Sequence, residues 1–291
     1  MLGYGYERLS SELNRLNKIY PFVQVATIGK SVMGRELYAL RIGYGARCIH
    51  VNAGMHANEW ITTPLLMQFV EETACAYARG TALRGSNIRR LLADNTLWVV
   101  PMVNPDGVEL VLQGLTPEHP YYEQLLEWNG GSEDVIHWKA NIRGVDLNDQ
   151  FPAHWEEEKA RREHDRPGPR DYGGEAPLSE PEAAALAAFT SSQSFDFVIA
   201  LHTQGREIYW NYRDYEPAES ECMADRLAMA SGYEAVKLTG SDAGYKDWFI
   251  EQFRRPGFTV EIGFGVNPLP IETFSKLYDE LAPILLTAME I

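Results

Sequence analysis

His56 and Glu59 are the residues in this chain whose types and spacing are best suited to chemistry. They stand three positions apart, after the apolar segment 49–53 and before a helical pattern over residues 62–77. Zinc favours neutral imidazole nitrogens and carboxylate oxygens, and a catalytic zinc takes three protein ligands and keeps one position for water. The pair therefore predicts a metal site at a strand-to-helix turn and requires a third ligand from elsewhere in the chain.

The third ligand is predicted to be His202, which follows the apolar segment 197–201, because open α/β sheets place their ligands at strand ends. An H-x-x-E pattern alone is a weak signal, and a single histidine at a strand end is often structural. Glu261 strengthens the interpretation because it lies inside the apolar segment 258–262, where an unpaired carboxylate is costly to bury. A nearby metal would give that carboxylate a partner and a function.

With these residues in this order, the chain resembles the zinc metallocarboxypeptidases of the carboxypeptidase A type. Within that family it is most similar to a bacterial branch, the γ-D-glutamyl-L-diamino acid endopeptidases, which cut peptidoglycan stem peptides. The resemblance runs from about residue 6 to the C-terminus and rests on three segments: His56-Ala57-Asn58-Glu59-Trp60, Gly144-Val145-Asp146-Leu147-Asn148-Asp149 and Leu201-His202-Thr203-Gln204-Gly205.

The resemblance implies one Zn²⁺ per chain, held by His56, Glu59 and His202. Glu261 matches the family's catalytic glutamate, the general base and acid that acts on a zinc-activated water. Asp146 matches the acid that orients a ligand histidine, here His56, through its other ring nitrogen.

A cation that stabilises the oxyanion is also expected. In the family this cation lies in a W-[RK]-x-N context, which is matched by Lys139 in Trp138-Lys139-Ala140-Asn141. Arg143 is the other basic residue within reach, and the sequence leaves both as candidates.

One departure from the family bears on the substrate. Where the family has an Asn-Arg pair that grips a terminal carboxylate, this chain has Asn148-Asp149. Asp149 would repel that carboxylate, and we expect it to pair instead with the second ammonium of a diaminopimelate residue. The second carboxylate of diaminopimelate would then need a donor, for which Arg206 or the unused one of Lys139 and Arg143 is expected. No residue is assigned to the family's mobile tyrosine.

The order of the patterns predicts an α/β fold. We expect a single domain over residues 1–291 with a central mixed, largely parallel twisted sheet flanked by helices, as the carboxypeptidase resemblance also implies. An amphipathic pattern predicts a first helix over residues 6–19, and strands over 23–28 and 36–42 are predicted to form a hairpin. Segment 96–100 is continuously apolar, which is typical of central parallel strands.

Local patterns add expectations about element ends. Ser86 is predicted to cap a short helix that ends at Asp94, and segment 104–107, Asn-Pro-Asp-Gly, has the composition of a turn. Segment 179–182 has the pattern of a capping box. The charge run 156–166 is interpreted as a solvated helix face rather than as the rim of a substrate site.

Composition restricts the partners and the compartment. The formal net charge of −15 and the pI near 4.9 disfavour nucleic acid and membrane surfaces as partners, and no apolar run approaches the length of a membrane span. The first residues show no signal-peptide pattern. Three widely spaced cysteines, Cys48, Cys75 and Cys222, indicate free thiols and a reducing compartment. We therefore expect a cytoplasmic protein.

The predicted function is hydrolysis of the γ-D-glutamyl–meso-diaminopimelate bond in a peptidoglycan stem peptide or muropeptide. Three alternatives are a zinc carboxypeptidase of other specificity, an N-acyl amino acid deacylase of the succinylglutamate desuccinylase type, and a non-catalytic peptide-binding module. The deacylases resemble this chain over fewer segments, and Glu261 beside a complete ligand set argues against a non-catalytic module.

Overall fold

A mixed β-sheet forms the centre of the computed structural model, which describes residues 3–291. Its strands are β1 (Gln24–Lys30), β2 (Glu36–Gly43), β3 (Arg47–Asn52), β4 (Asn95–Val100), β5 (Phe197–His202), β6 (Glu207–Tyr209), β7 (Glu234–Val236) and β8 (Gly257–Glu261). Within the described residues they form one eight-stranded sheet in the order β1-β2-β4-β3-β5-β8-β6-β7. Neighbours in the series β4-β3-β5-β8 are parallel, whereas β1–β2, β2–β4 and β8–β6 are antiparallel. The predicted α/β fold with a mixed sheet is confirmed.

Helices cover both faces of the sheet. They are α1 (Tyr6–Ile19), α2 (Thr62–Arg79), α3 (Ile88–Asp94), α4 (Pro105–Gln113), α5 (Tyr122–Trp128), α6 (Trp155–Arg161), α7 (Pro181–Ser192), α8 (Glu219–Ser231), α9 (Tyr245–Phe253) and α10 (Phe274–Glu290). No helix within residues 3–291 combines the length and the apolar character needed to span a bilayer.

Strand β5 shows why the sheet has two apolar faces. All of its residues are buried, and successive side chains of a strand point to opposite faces. Ile199 and Leu201 pack in the core that contains α1, α2 and α10, whereas Val198 and Ala200 pack in the core that contains α7 and α9. A strand covered on both sides needs the continuous apolar run that the sequence has.

The parallel strands bring the predicted site residues to one edge of the sheet. His202 is the last residue of β5 and is in register with Glu261, the last residue of β8. Strand β3 neighbours β5 on the other side and is followed by the short 3₁₀ turn Ala57–Glu59. The carboxyl ends of β3, β5 and β8 therefore position the ligand candidates.

Two predicted helix starts differ from the structure. Asn87, rather than Ser86, caps α3, since its side-chain oxygen accepts a hydrogen bond from the Arg90 amide at 3.1 Å. The Ser86 hydroxyl instead donates to Glu290 at 2.7 Å. Helix α7 begins after Glu180 without a side-chain cap. Adjacent polar residues compete for the cap position, and tertiary contacts decide between them.

The segment predicted to be a turn, residues 104–107, is the start of α4. Asn104 caps the helix by accepting a hydrogen bond from the Gly107 amide at 3.0 Å. Its side-chain NH₂ donates to the carbonyls of Met55 at 3.2 Å and Ala140 at 3.0 Å. The side chain of Asn104 thus joins the loop before His56 to the loop that carries Lys139.

We expect Asn104→Ala to lower the free energy of unfolding by about 1–3 kcal/mol, because it leaves buried backbone groups without their partner. Denaturant unfolding monitored by circular dichroism measures the change. Asn87→Ala is the matched control, since it removes a helix cap at the surface and should cost about 1 kcal/mol. Equal effects of the two substitutions would show that Asn104 acts only as a cap.

The charge run 156–166 is mostly exposed, as predicted, and Glu158 is its one buried member. Helix α6 ends at Arg161, and Glu158 on it is buried. The Glu158 carboxylate lies 2.6 Å from the Arg161 guanidinium and 2.8 Å from that of Arg162. Arg162 then faces a pocket at the sheet edge. Opposite charges at helical spacing thus pair two partly exposed arginines with the buried Glu158, within a run that is otherwise mostly exposed.

Candidate metal centre

The side chains of His56, Glu59 and His202 meet at the carboxyl edge of the sheet, where all three are buried. The Nδ1 atom of His56 lies 3.0 Å from the Glu59 carboxylate and 3.0 Å from Nδ1 of His202. The same His202 nitrogen lies 3.1 Å from the other oxygen of Glu59. Both imidazoles therefore present Nδ1 to a common point that the carboxylate also faces.

This donor set fits a zinc ion. Zinc bonds to imidazole nitrogen and carboxylate oxygen are about 2 Å long, so ligands of one ion lie near one another at separations of this order. Two imidazoles that face each other through the same nitrogen need a proton or a cation between them. Three protein ligands also leave a coordination position for water, as catalytic zinc sites require.

The outer partner of His56 fixes the direction of its ring. The Nε2 atom of His56 lies 3.1 Å from Oδ1 of the fully buried Asp146, and the other Asp146 oxygen lies 3.1 Å from Nζ of Lys139. Burial opposes ionisation of Asp146, but Lys139 and His56 hold its pKa well below its usual range. Asp146 is thus an anion that leaves the Nδ1 atom of His56 to face the metal position.

Electrostatics in the metal-free protein favour a cation between the ligands. Burial disfavours the imidazolium of His56, but the Glu59 and Asp146 carboxylates outweigh it and raise the pKa of His56 to about 9. For Glu59, the nearby histidines outweigh the effect of burial and lower the pKa of the carboxyl group. Burial lowers the pKa of His202. The carboxylates thus favour a positive charge at His56, whereas burial disfavours one at His202.

Glu261 lies beside the ligand set but outside it. It ends β8 in register with His202 and lines the same pocket as the three ligands, whereas the convergent donor cluster contains only the other three residues among those described. Burial, followed by the charge of Glu59, raises the pKa of Glu261 to about 8. A bound dication would favour the ionised form, so the group can take and return a proton near neutral pH.

A cavity of about 350 Å³ opens above these residues, and we call it the site pocket. Four basic residues contribute to its lining together with the acidic residues Glu59, Asp247 and Glu261. The lining residues are His56, Glu59, Lys139, Asn148, Arg162, Arg170, His202, Thr203, Gln204, Tyr209, Leu238, Ser241, Gly244, Lys246, Asp247, Thr259, Glu261 and Asn267.

The two residues expected at the family's carboxylate-binding pair lie in different environments. Asn148 lines the site pocket. Asp149 is buried, and its Oδ1 atom accepts a hydrogen bond from the Arg162 guanidinium at 2.7 Å. Asp149 ends the short turn Leu147–Asp149 and is not among the residues that line the pocket. The expected contact between Asp149 and a substrate ammonium stays a prediction, since Arg162 binds one carboxylate oxygen and the other is buried without a hydrogen-bond partner.

Arg143 and Arg206 lie away from the site pocket. The half-exposed Arg143 guanidinium is 3.7 Å from the Glu180 carboxylate, and Arg206 forms an ion pair with Glu280 of α10 and covers the Phe264 ring at 5.1 Å. Neither residue is placed to contact a substrate at the metal position. Of the basic candidates named from the sequence, Lys139 is the one that the fold brings to the ligands.

Two residues that line the site pocket, Arg162 and Lys246, were not among the site residues predicted from the sequence. Arg162 belongs to the charge run, where only its spacing from Glu158 marked it as a partner of an acid. Lys246 lies in the first turn of α9 and is buried. A lysine in a helix is ordinarily exposed, so the sequence carries no signal that this one faces a pocket.

Comparisons with known proteins agree with this geometry. A family model described as zinc carboxypeptidase matches residues 9–275. A relative from Lysinibacillus sphaericus named gamma-D-glutamyl-L-diamino acid endopeptidase 1 is 49% identical over 286 residues, which cover 98% of this chain and 72% of the relative.

Solved structures share the fold. Thrombin activatable fibrinolysis inhibitor matches with a TM-score of 0.79 at 20% identity, covering 98% of this chain and 73% of that one. The murein-tripeptide amidase of Escherichia coli O157 matches with a TM-score of 0.55 at 23% identity, covering 90% and 91%. Together, the family match and the 49% identity show that this chain belongs to the zinc carboxypeptidase family and is a metallopeptidase.

Proposed function

We propose that this metallopeptidase hydrolyses the γ-D-glutamyl–meso-diaminopimelate bond of peptides derived from peptidoglycan. The observation that carries the proposal is a His56–Glu59–His202 ligand set with Glu261 beside it, in a pocket whose lining includes four lysine and arginine side chains. The name of the 49% identical relative supports the same bond.

The residues of the site divide the reaction among them. When bound, a zinc ion would lower the pKa of its water to about 7 and polarise the scissile carbonyl. Glu261 accepts a proton from the attacking water and delivers it to the leaving amine. One donor of the Lys139 ammonium group is directed to the Asp146 carboxylate at 3.1 Å. An ammonium group has three donors, so the other two donors of Lys139 can stabilise the oxyanion.

The charge of the pocket suits a polyanionic substrate. A γ-linked D-glutamyl residue keeps its α-carboxylate, and diaminopimelate adds a carboxylate at its far end. Arg162 and Arg170 supply guanidinium groups to the pocket, a type of side chain that binds carboxylates well. Asp149 and Glu158 hold Arg162 at 2.7 and 2.8 Å. We therefore assign Asp149 to positioning Arg162 rather than to contact with the substrate.

Further parts of the proposal concern the whole protein. We propose one catalytic domain over residues 1–291 that binds one zinc ion and acts in the cytoplasm on muropeptides, without a nucleic acid or membrane partner. The free thiols of Cys48, Cys75 and Cys222 support a reducing compartment, and the net charge of −15 supports the choice of partners.

A carboxypeptidase of other specificity is the second candidate. It is favoured by one observation, the Arg162 guanidinium in the same pocket as Asn148, because such a guanidinium can bind a C-terminal carboxylate. A succinylglutamate desuccinylase type of deacylase is disfavoured by the zinc carboxypeptidase match over residues 9–275.

Digestion of the tetrapeptide L-Ala-γ-D-Glu-meso-diaminopimelate-D-Ala, followed by mass spectrometry, separates these functions. The proposal predicts the dipeptides L-Ala-D-Glu and diaminopimelate-D-Ala. The same peptide with an α-linked glutamate is the control and should be cut far more slowly. Release of D-Ala alone would indicate a carboxypeptidase, and an intact tetrapeptide under zinc-loaded conditions would contradict the proposed function.

A further inference from the structure

A buried ion pair, Lys246–Asp247, lines the site pocket and has no part in the steps described above. Lys246 is 5% exposed and Asp247 is 4% exposed. Both lie in the first turn of α9. Burying two charges is costly even when they are paired, so a buried pair that faces a ligand pocket calls for a specific explanation.

Lys246 and Asp247 can each form a further hydrogen bond besides those within the protein. Nζ of Lys246 donates to the Asn211 carbonyl at 2.6 Å and lies 2.5 Å from Oδ1 of Asp247. An ammonium group has three donors, so one remains for the pocket. Oδ2 of Asp247 accepts from the Gly244 amide at 3.2 Å, and each carboxylate oxygen accepts more than one hydrogen bond. The pair thus presents a fixed cation and a fixed anion side by side.

The position of the pair relative to Glu261 suits the far end of a long side chain. An ideal Cβ at Gly257 would lie 3.3 Å from Cγ of Lys246, so the lysine stem packs closely against the start of β8. Gly257 precedes Glu261 by four residues, or about 13 Å along a strand at about 3.3 Å per residue. Because Lys246 and Glu261 line the same pocket, the space between them can accept the methylene chain of a diaminopimelate residue.

We propose that Lys246 and Asp247 bind the amino acid group at the far end of diaminopimelate, Lys246 its carboxylate and Asp247 its ammonium. This inference rests on the proposed function. A carboxylate and an ammonium on one carbon form a zwitterion whose charges match the pair in reverse order, so two charge-assisted hydrogen bonds form together. Leu238, Ser241 and Thr259 add uncharged lining to the same pocket.

The pair distinguishes diaminopimelate from simpler residues. Lysine ends in an ammonium alone and leaves the remaining donor of Lys246 unpaired, whereas glutamate ends in a carboxylate alone and brings no ammonium to Asp247. Each mismatch removes a partner from a buried charged group, and that loss is costly. Selectivity here comes from matching both charges, which Asp149 beneath the pocket is not placed to do.

The test compares two γ-D-glutamyl tetrapeptides that differ only at the far carboxylate of diaminopimelate, free in one and amidated in the other. Zinc-loaded wild-type protein should favour the free carboxylate by about 10- to 100-fold in kcat/KM, in line with the loss of one buried charged partner. Lys246→Met should reduce that preference to within a few-fold of unity. Lys276→Met, which changes an exposed lysine of α10, is the matched control and should keep the wild-type preference.

Zinc content and thermal unfolding verify that each variant is folded. If Lys246→Met does not fold, Lys246→Gln gives the same comparison, since glutamine can still donate to the Asn211 carbonyl. Equal rates of the wild type on both peptides, or an unchanged preference in the Lys246 variants, would overturn this inference and leave the proposed function intact. Failure of the wild type to cut either peptide at the γ-D-glutamyl bond would overturn both.

Discussion

Glu261→Gln is expected to bind zinc as the wild type does and to lose about 10²- to 10⁴-fold in kcat, the usual contribution of a positioned general base and acid. The substitution keeps the size of the side chain but removes its ability to take a proton. Zinc binding should persist because the convergent ligand atoms belong to His56, Glu59 and His202. Elemental analysis and steady-state kinetics on the same preparation measure both quantities.

Glu234→Gln is a suitable control for this experiment. Glu234 is exposed on β7 and does not contribute to the lining of the site pocket. It should keep activity within a few-fold of the wild type. Parallel losses of zinc and activity in Glu261→Gln would instead place that carboxylate among the metal ligands, and the assignment of the proton-transfer role would be wrong.

His202→Ala is expected to lose zinc and activity together. It leaves two protein ligands where a catalytic zinc needs three, and it removes the imidazole that lies 3.0 Å from His56 and 3.1 Å from Glu59. Zinc affinity should fall by more than the 10- to 100-fold that loss of an outer partner of a ligand typically costs. Competition with a chelator of known affinity measures the change.

Asp146→Asn is expected to weaken zinc binding less than His202→Ala does. Asparagine can still accept a hydrogen bond from Nε2 of His56 but carries no charge, so a loss of about 10- to 100-fold in zinc affinity or activity is expected. His202→Ala should therefore be the more severe change. A His202→Ala protein that binds zinc as tightly as Asp146→Asn would show that the third ligand lies elsewhere.

The fold and the ligand candidates are predictable because their signals are local. The apolar run of β5 ends at His202, and parallel pairing places that residue next to Glu261 whatever the loops between them do. The spacing of His56 and Glu59 needs only one short turn to bring both side chains to the same point. Such features depend on strand order and on a few adjacent residues.

The substrate side of the pocket depends on directions that the sequence does not encode locally. Asp149 is buried outside the pocket lining, where Arg162 binds it from the end of α6. Lys246 reaches the pocket because α9 packs on β8 at Gly257. In each case the side chain's role follows from how two elements meet, and the residue type at that position would suit an exposed helix equally well.

Titration of metal-free protein with zinc, with hydrolysis of a γ-D-glutamyl–diaminopimelate peptide as the readout, tests the central claim most directly. Activity should be negligible without metal and should rise linearly until it saturates near one zinc ion per chain, because the site offers one set of three convergent ligands within residues 3–291 that also adjoins Glu261. Full hydrolytic activity in protein shown by elemental analysis to contain no metal would contradict the account.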